Sequence, residues 1–177
     1  MHAMIDLETL NVGIAAPLFE IGVCIFDMEQ KEIISSQQWN VDLLDVILTT
    51  GFCPNPETIK WWQDQSYDPR SMPRQSLKDS LLEVTDYLRI QKVDKVWANS
   101  PSFDCILMQR HFEACKLPVP WKYSQELDFR TMRWLYKRFD LDLEDQTVVS
   151  HNAMEDAIGQ TKMLIQMMKG ISSVQLL

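Results

Sequence analysis

The chain has 177 residues, a formal net charge of −8 and an apolar fraction of 46%, the profile of one domain, residues 1–177, with an ordinary globular core. That charge supplies no global basic field of the kind that coats DNA, although a cation-binding cluster of acids would add to the tally without excluding an enzyme that works on polyanions. No apolar run reaches membrane-span length and the N-terminus lacks a secretory layout, so the expectation is a cytoplasmic protein with no membrane partner.

In chain order, "HAMIDLET", "APLFEIGVCIFDM" (Ala15 to Met28) and "KEIISSQQWNV" (Lys31 to Val41) carry the β-branched and aromatic content of three neighbouring strands. Asn55 then caps a helix that opens on Pro56, where the missing N–H costs nothing, and "YDPRSMPRQ" reads as loop. "SLKDSLLEVTDYLRI" repeats Leu77, Leu81, Val84 and Leu88 at helical spacing and leads into the short strand "KVWANS". Ser100 and Pro101 open a further helix with an apolar stripe of Phe103, Ile106, Leu107 and Phe112. A strand near Lys122 to Glu126, a helix from about Asp128 to Phe139 and a helix beginning near Asn152 complete the pattern. Strands first, then strands alternating with helices, describe an α/β domain in which an antiparallel meander joins right-handed crossover units.

Asp6 and Glu8 are two apart in a strand, so they project to one face. An isolated D-x-E reads as the polar side of an edge strand. Here the apolar company points to a central strand, where buried charges need a partner, and Mg²⁺ or Mn²⁺ is a natural one. In "SHNAMEDAIGQ", Asn152 suits a helix N-cap and Glu155 the third helical position of a capping box. By the same count His151 and Asp156 occupy the pair of sites that usually hold a hydrophobic staple. Asp104 falls in the first turn of a helix directly after a strand, where α/β sites form. Alone, each of these residues is explained by local hydrogen bonding or the helix dipole.

Taken together, "MIDLET", "NSPSFD" and "HNAMED", with a His five residues before an Asp, resemble the three ordered motifs of the DEDDh, DnaQ-like 3′–5′ exonucleases. "TIKWW", "VWANSPSFD", "LPVPW" and "HNAMEDAI" are similar to a small single-domain branch with mycobacterial exoribonuclease-type and phage DexA-type members. The resemblance covers nearly the whole chain. It implies a ribonuclease H-like fold with a mixed five-stranded sheet flanked by helices, and single-stranded DNA or RNA 3′ ends as partners. It also implies that Asp6, Glu8, Asp104 and Asp156 hold two divalent ions, Mg²⁺ or Mn²⁺, Asp104 directly or through water, with His151 as general base. Two ions roughly 4 Å apart stabilise both attacking and leaving oxygens, and an imidazole with an unperturbed pKa of about 6.5 can take a proton near neutral pH.

By the same resemblance Thr9 and Leu10 touch the terminal nucleotide, and Ser102 and Phe103 flank its sugar and base. Packing explains Leu10 and Phe103 equally well. Trp61 and Trp62 diverge on a helix, so one is core and the other, with Trp61 the candidate, a stacking platform. Arg130, Arg133, Lys137 and Arg138 form a basic helix face, either solvated or tracking phosphates. His111 and Cys115 have half-zinc-site spacing with no second pair, which favours core packing. Cys24, Cys53, Cys105 and Cys115 show no C-x-x-C spacing and read as reduced thiols, three of them in apolar runs. "MLIQMMKGISSVQLL" is richer in Met and Leu than one buried stripe needs, which suits either a homodimer surface or a helix end. Two other functions compete with an exonuclease: a non-catalytic nucleic-acid-binding module, which gives five such groups no reason to converge, and a ribonuclease H-type endonuclease, which gives the His no task.

Overall fold

The computed structural model describes residues 1–65, 73–139 and 150–174. Five strands form one sheet in the order β3-β2-β1-β4-β5. Strand β1 (His2–Thr9) lies at its centre, antiparallel to β2 (Leu18–Asp27) and parallel to β4 (Lys95–Ala98). Strand β3 (Glu32–Asn40) closes one edge and β5 (Glu126–Asp128), parallel to β4, the other.

Because side chains alternate across a strand, β1 feeds two cores. Ala3, Ile5 and Leu7 pack with Val46 of α1 (Leu43–Thr50), Leu81 and Val84 of α3 (Leu77–Ile90), and Leu107 and Phe112 of α4 (Asp104–Ala114). Met4, with Cys24, Phe26 and Trp97, packs on the opposite face against Phe129 and Tyr136 of α5 (Phe129–Arg138) and Ala157, Leu164 and Met167 of α6 (Ala153–Val174). Asp6 and Glu8 continue the Met4 side.

Local chemistry explains most boundaries. The Asn55 side chain accepts from the Glu57 and Thr58 N–H groups and starts α2 (Pro56–Gln63), as the sequence predicts. Ser76 does the same for α3 through the Asp79 N–H. Helix α1 is absent from the sequence reading because its apolar residues run almost all round it while only Val46 is buried, which hides any stripe. It is set by the Asp42 cap and by Gly51, whose φ of +70° lets its N–H reach the Ile47 carbonyl.

Two expected boundaries are corrected. Helix α4 opens at Asp104, not at Ser100, because Ser100 to Phe103 form a turn in which the Phe103 and Asp104 N–H groups donate to the Ser100 carbonyl at 3.0 and 3.1 Å. The strand expected near Lys122 to Glu126 is a 3₁₀ turn at Tyr123–Gln125, closed by the Lys122 N–H on Gln125 Oε1 at 2.8 Å, and pairing begins only at Glu126. The loop read at "YDPRSMPRQ" lies largely outside the described residues.

Of the Met- and Leu-rich stretch of α6, Met163, Leu164, Ile165 and Met167 are buried, with Met168 and Ile171 packed alongside; the side chains past 171 lie outside the described residues. His111 is a core residue as expected. Its Nδ1 lies 2.7 Å from the Leu107 carbonyl, and burial pushes its pKa down to about 4, which keeps the ring neutral. All four cysteines are free thiols; Cys24 and Cys105 are buried, Cys115 is partly so and Cys53 is exposed. Among the described residues no helix is long and apolar enough to cross a membrane.

Candidate active site

The site forms where the end of β1 meets the first turns of α4 and α6. Gly22 of β2, which pairs with Asp6 of β1, makes the α6 contact close enough: a Cβ there would collide with the backbone of Ala153 and Met154. Two further side chains moor the same helix end. Glu20, opposite Glu8 in the register, accepts the Ala153 N–H at 2.9 Å, and Gln38 of β3 accepts from the Asn152 amide at 3.0 Å.

The turn before α6 is tied by Asp156. One carboxylate oxygen accepts the Ser150 N–H at 2.8 Å and the Ser150 hydroxyl at 3.2 Å, and the other accepts the His151 N–H at 3.1 Å. His151 adopts φ +55°, a left-handed conformation uncommon for a residue with a Cβ and held here by those bonds. Asn152 caps the helix through the Glu155 N–H at 3.0 Å. The reciprocal half of the expected capping box is replaced: the Asn152 N–H donates to Ser150 Oγ at 3.3 Å, while Glu155 is exposed.

Asp6, Glu8, Asp104, His151 and Asp156 all line one cavity of about 270 Å³, together with Asn99, Phe103, Phe129, Arg133 and Gln160. Ligand-capable atoms of Glu8, His151 and Asp156 lie within 4.8 Å of one another. The acids crowd one another in a dry setting. Burial, then Asp104 and Glu8, hold the Asp6 carboxyl well above the usual range. Glu8 is pushed up to about 8 by burial, then by Asp156, Glu20 and Asp104. Asp104 rises to about 7 through burial, partly opposed by backbone N–H groups and Arg130. Such a cluster is stable only with protons or cations among its oxygens.

Gln160 is a site residue that the sequence analysis did not assign. Its Nε2 donates to Asp6 Oδ1 at 2.7 Å, and its buried Oε1 has no hydrogen-bond partner. The signal was available, since four residues after Asp156 is the same helix face. Glu20 and Gln38 were missed as well; a Glu opposite Glu8 inside an apolar strand was the available clue for the first.

The predicted substrate residues divide. A second hollow of about 600 Å³ shares Leu7, Glu8 and Phe103 with the first and is also lined by Thr9, Asn11, Val12, Glu57, Thr58, Trp61 and Trp62. Trp61, 43% exposed, sets its ring edge-on to His151 at 4.7 Å. Trp62 is the anchor: it packs edge-on against Phe19 at 5.1 Å, and its indole N–H donates to the Thr9 carbonyl at 3.0 Å. Leu10 and Ser102 line neither hollow; the backbone of Leu10 bonds Pro17 and Asn55, and Ser102 Oγ pairs with Ser100 Oγ at 2.6 Å. On α5, Arg130 donates to the Asn99 carbonyl at 2.9 Å and Arg133 reaches the cavity, whereas Lys137 and Arg138 are exposed and line neither hollow.

Residues 1–168 match the family described as the Rv2179c-like 3′–5′ exoribonuclease domain. The chain belongs to that family. Membership puts this Rv2179c-like domain in a family of 3′–5′ exoribonucleases, the class of activity that its sequence motifs resemble. Solved structures share its fold. The zinc-bound E. coli ExoI–ssDNA complex superposes with a TM-score of 0.72 at 12% identity over 97% of this chain and 42% of that one. Exonuclease X in complex with 5′-overhanging duplex DNA gives 0.57 at 16% identity, covering 96% of this chain and 92% of that one. The nuclease domain of 3′hExo, a DEDDh family member bound to rAMP, gives 0.59 at 11% identity, covering 95% and 91%. The Rv2179c-like chain thus spans less than half of ExoI, and the likeness establishes the ribonuclease H-like architecture. No curated protein matches significantly in sequence.

Proposed function

We propose that the chain hydrolyses the terminal phosphodiester of single-stranded nucleic acid from the 3′ end, RNA in the first instance, releasing nucleoside 5′-monophosphates. The observation that carries this reading is the convergence of Asp6, Glu8, Asp104, Asp156 and His151 on one cavity. The donor set fits divalent ions: hard carboxylate oxygens, those of Asp6, Glu8 and Asp104 raised in pKa chiefly by burial, meet in a cavity with a single cationic side chain among its described lining residues. Asp6, Glu8, Asp104 and Asp156 would hold two ions, Mg²⁺ or Mn²⁺. When bound, such ions supply charge neutralisation at the phosphate and acidify water.

The chain's own residues do the rest. His151, fixed at its backbone by Asp156 and at its ring by Trp61, faces the carboxylates and takes the proton of the attacking water as general base. Gln160 holds Asp6 in one orientation through its N–H. Trp61, Thr9 and Phe103 line the hollow beside the acids and provide the seat for the last base and sugar. The choice of RNA follows the family's description and the rAMP in the 3′hExo nuclease domain.

The test uses 5′-labelled single-stranded RNA and DNA of one sequence with Mg²⁺ or Mn²⁺. A ladder of strands shortened from the 3′ end is expected, faster on RNA, and absent for Asp6→Ala. Intact strands in every metal, with the metal shown to bind, refute the activity; internal cuts on an end-blocked hybrid support an endonuclease instead.

A further inference from the structure

Among the described residues lining the acidic cavity, Arg133 is the one cation, and its role follows from what it does not do. Its neighbour one turn earlier, Arg130, is committed to the Asn99 carbonyl at 2.9 Å. Arg133 makes no hydrogen bond or ion pair with any described residue, and its partner is the ring of Phe129, 5.9 Å from the guanidinium carbon. Phe129 is fully buried and lines the same cavity, so the side chain is steadied from one side while no described residue accepts from its N–H groups. A cation beside four acids that does not close onto any of them is placed for an anion that arrives later.

Charge balance identifies that anion. Resting on the reading above, Asp6, Glu8, Asp104 and Asp156 would be neutralised by the two divalent ions they hold, and the incoming phosphodiester would then bring one uncompensated negative charge, carried on its non-bridging oxygens during attack. We infer that Arg133 is a catalytic residue that binds a non-bridging oxygen of the scissile phosphate and, after cleavage, the 5′-phosphate of the released nucleotide. An arginine suits this place because it stays charged at any working pH and offers paired donors to phosphate oxygens.

The experiment compares wild type, Arg133→Gln and Arg133→Lys, each loaded with Ca²⁺, by calorimetric titration with AMP and with adenosine. Wild type should bind AMP at least tenfold more tightly than adenosine. Arg133→Gln should bind AMP several-fold more weakly with adenosine affinity unchanged, the bound Ca²⁺ retaining the rest of the difference, and Arg133→Lys should fall between the two. With Mg²⁺ or Mn²⁺ and single-stranded RNA, kcat/KM should fall roughly 10²-fold in Arg133→Gln and less in Arg133→Lys. Unchanged AMP affinity and unchanged cleavage in Arg133→Gln overturn the assignment, as does a wild type that does not distinguish AMP from adenosine. Circular dichroism checks each variant's fold, and Arg133→Lys carries the comparison if the glutamine variant is unfolded. Failure of the wild type to shorten any strand refutes the exonuclease reading instead, and the AMP–adenosine comparison still reports on Arg133.

Discussion

Asp6, Glu8 and Asp104 are carboxylates held above their ordinary pKa by burial, and Asp6 and Glu8 also by neighbouring acids. The consequence has a definite sign. In the folded protein Glu8 keeps its proton up to about pH 8 and Asp104 up to about 7, whereas the unfolded chain releases them near 4.5 and 3.8. The native state therefore binds more protons across those windows, and its stability falls as pH rises through them. Metal-free protein should melt at a lower temperature at pH 8 than at pH 5. Ca²⁺ at about a hundredfold over its dissociation constant should restore about 2.7 kcal/mol at the higher pH. A melting temperature that is flat with pH, or that ignores Ca²⁺, contradicts the acid cluster. For His151, replacement by alanine should cost roughly 10²–10⁴ in turnover while the Ca²⁺-induced rise in melting temperature persists. Loss of both together would make the imidazole a ligand rather than a base. That Asp6, Glu8, Asp104, His151 and Asp156 meet in one cavity was expected from the sequence because their order and spacings resemble a known motif set. Gln160 was only half legible: its position four residues after Asp156 puts it on the same helix face, but its bond to Asp6 at 2.7 Å depends on how α6 sits against β1.

At the scale of elements, two placements make the site. The first is the seating of α6 on β2 at Gly22. A methyl group there meets the Ala153 backbone, which cannot swing aside as a side chain could. Gly22→Ala should cost about 1–3 kcal/mol by overpacking and should depress activity further by moving His151 and Asp156 relative to Asp6. A variant with wild-type melting and rate would show that the helix has room to spare. The second placement is α2, which buries none of its own residues and brings its tryptophans to the site. Trp62→Ala should loosen α2, visible as faster amide exchange around Thr9. Trp61→Ala should leave stability nearly unchanged and raise KM, since stacking on a base is worth about 1–3 kcal/mol. The two rings, expected to diverge because they are adjacent on a helix, instead meet edge-on at 5.0 Å and both pack against His151, and Trp62 is the anchor through Phe19 and the Thr9 carbonyl, contacts made across the fold. The boundary errors at α4 and β5 have the same origin: hydrogen bonds to the Ser100 carbonyl and to the Gln125 side chain decide them, and neither leaves a periodic trace.

The whole molecule carries a charge of −8 and yet is assigned a polyanion. The two facts are compatible under the proposed function, in which recognition is concentrated at one strand end, where bound ions and Arg133 would face the phosphate and aromatic rings would face the base. Binding of single-stranded RNA should then depend only weakly on salt, with a log–log slope shallower than about −2, since each neutralised phosphate contributes roughly −0.7 on single strands. A slope several times steeper would reveal a basic track along the strand, the role the exposed Lys137 and Arg138 would suit. The antiparallel meander joined to parallel crossover units was legible in the alternation of strands and helices, while the strand order, the two cores and the convergence of β1, α4 and α6 on one cavity are products of topology that no single segment displays. The account stands on that cavity being a two-ion site. Anomalous diffraction from crystals soaked in Mn²⁺ and AMP tests it most directly. Two peaks roughly 4 Å apart among Asp6, Glu8, Asp104 and Asp156 are predicted; an empty cavity with ions bound elsewhere would contradict it.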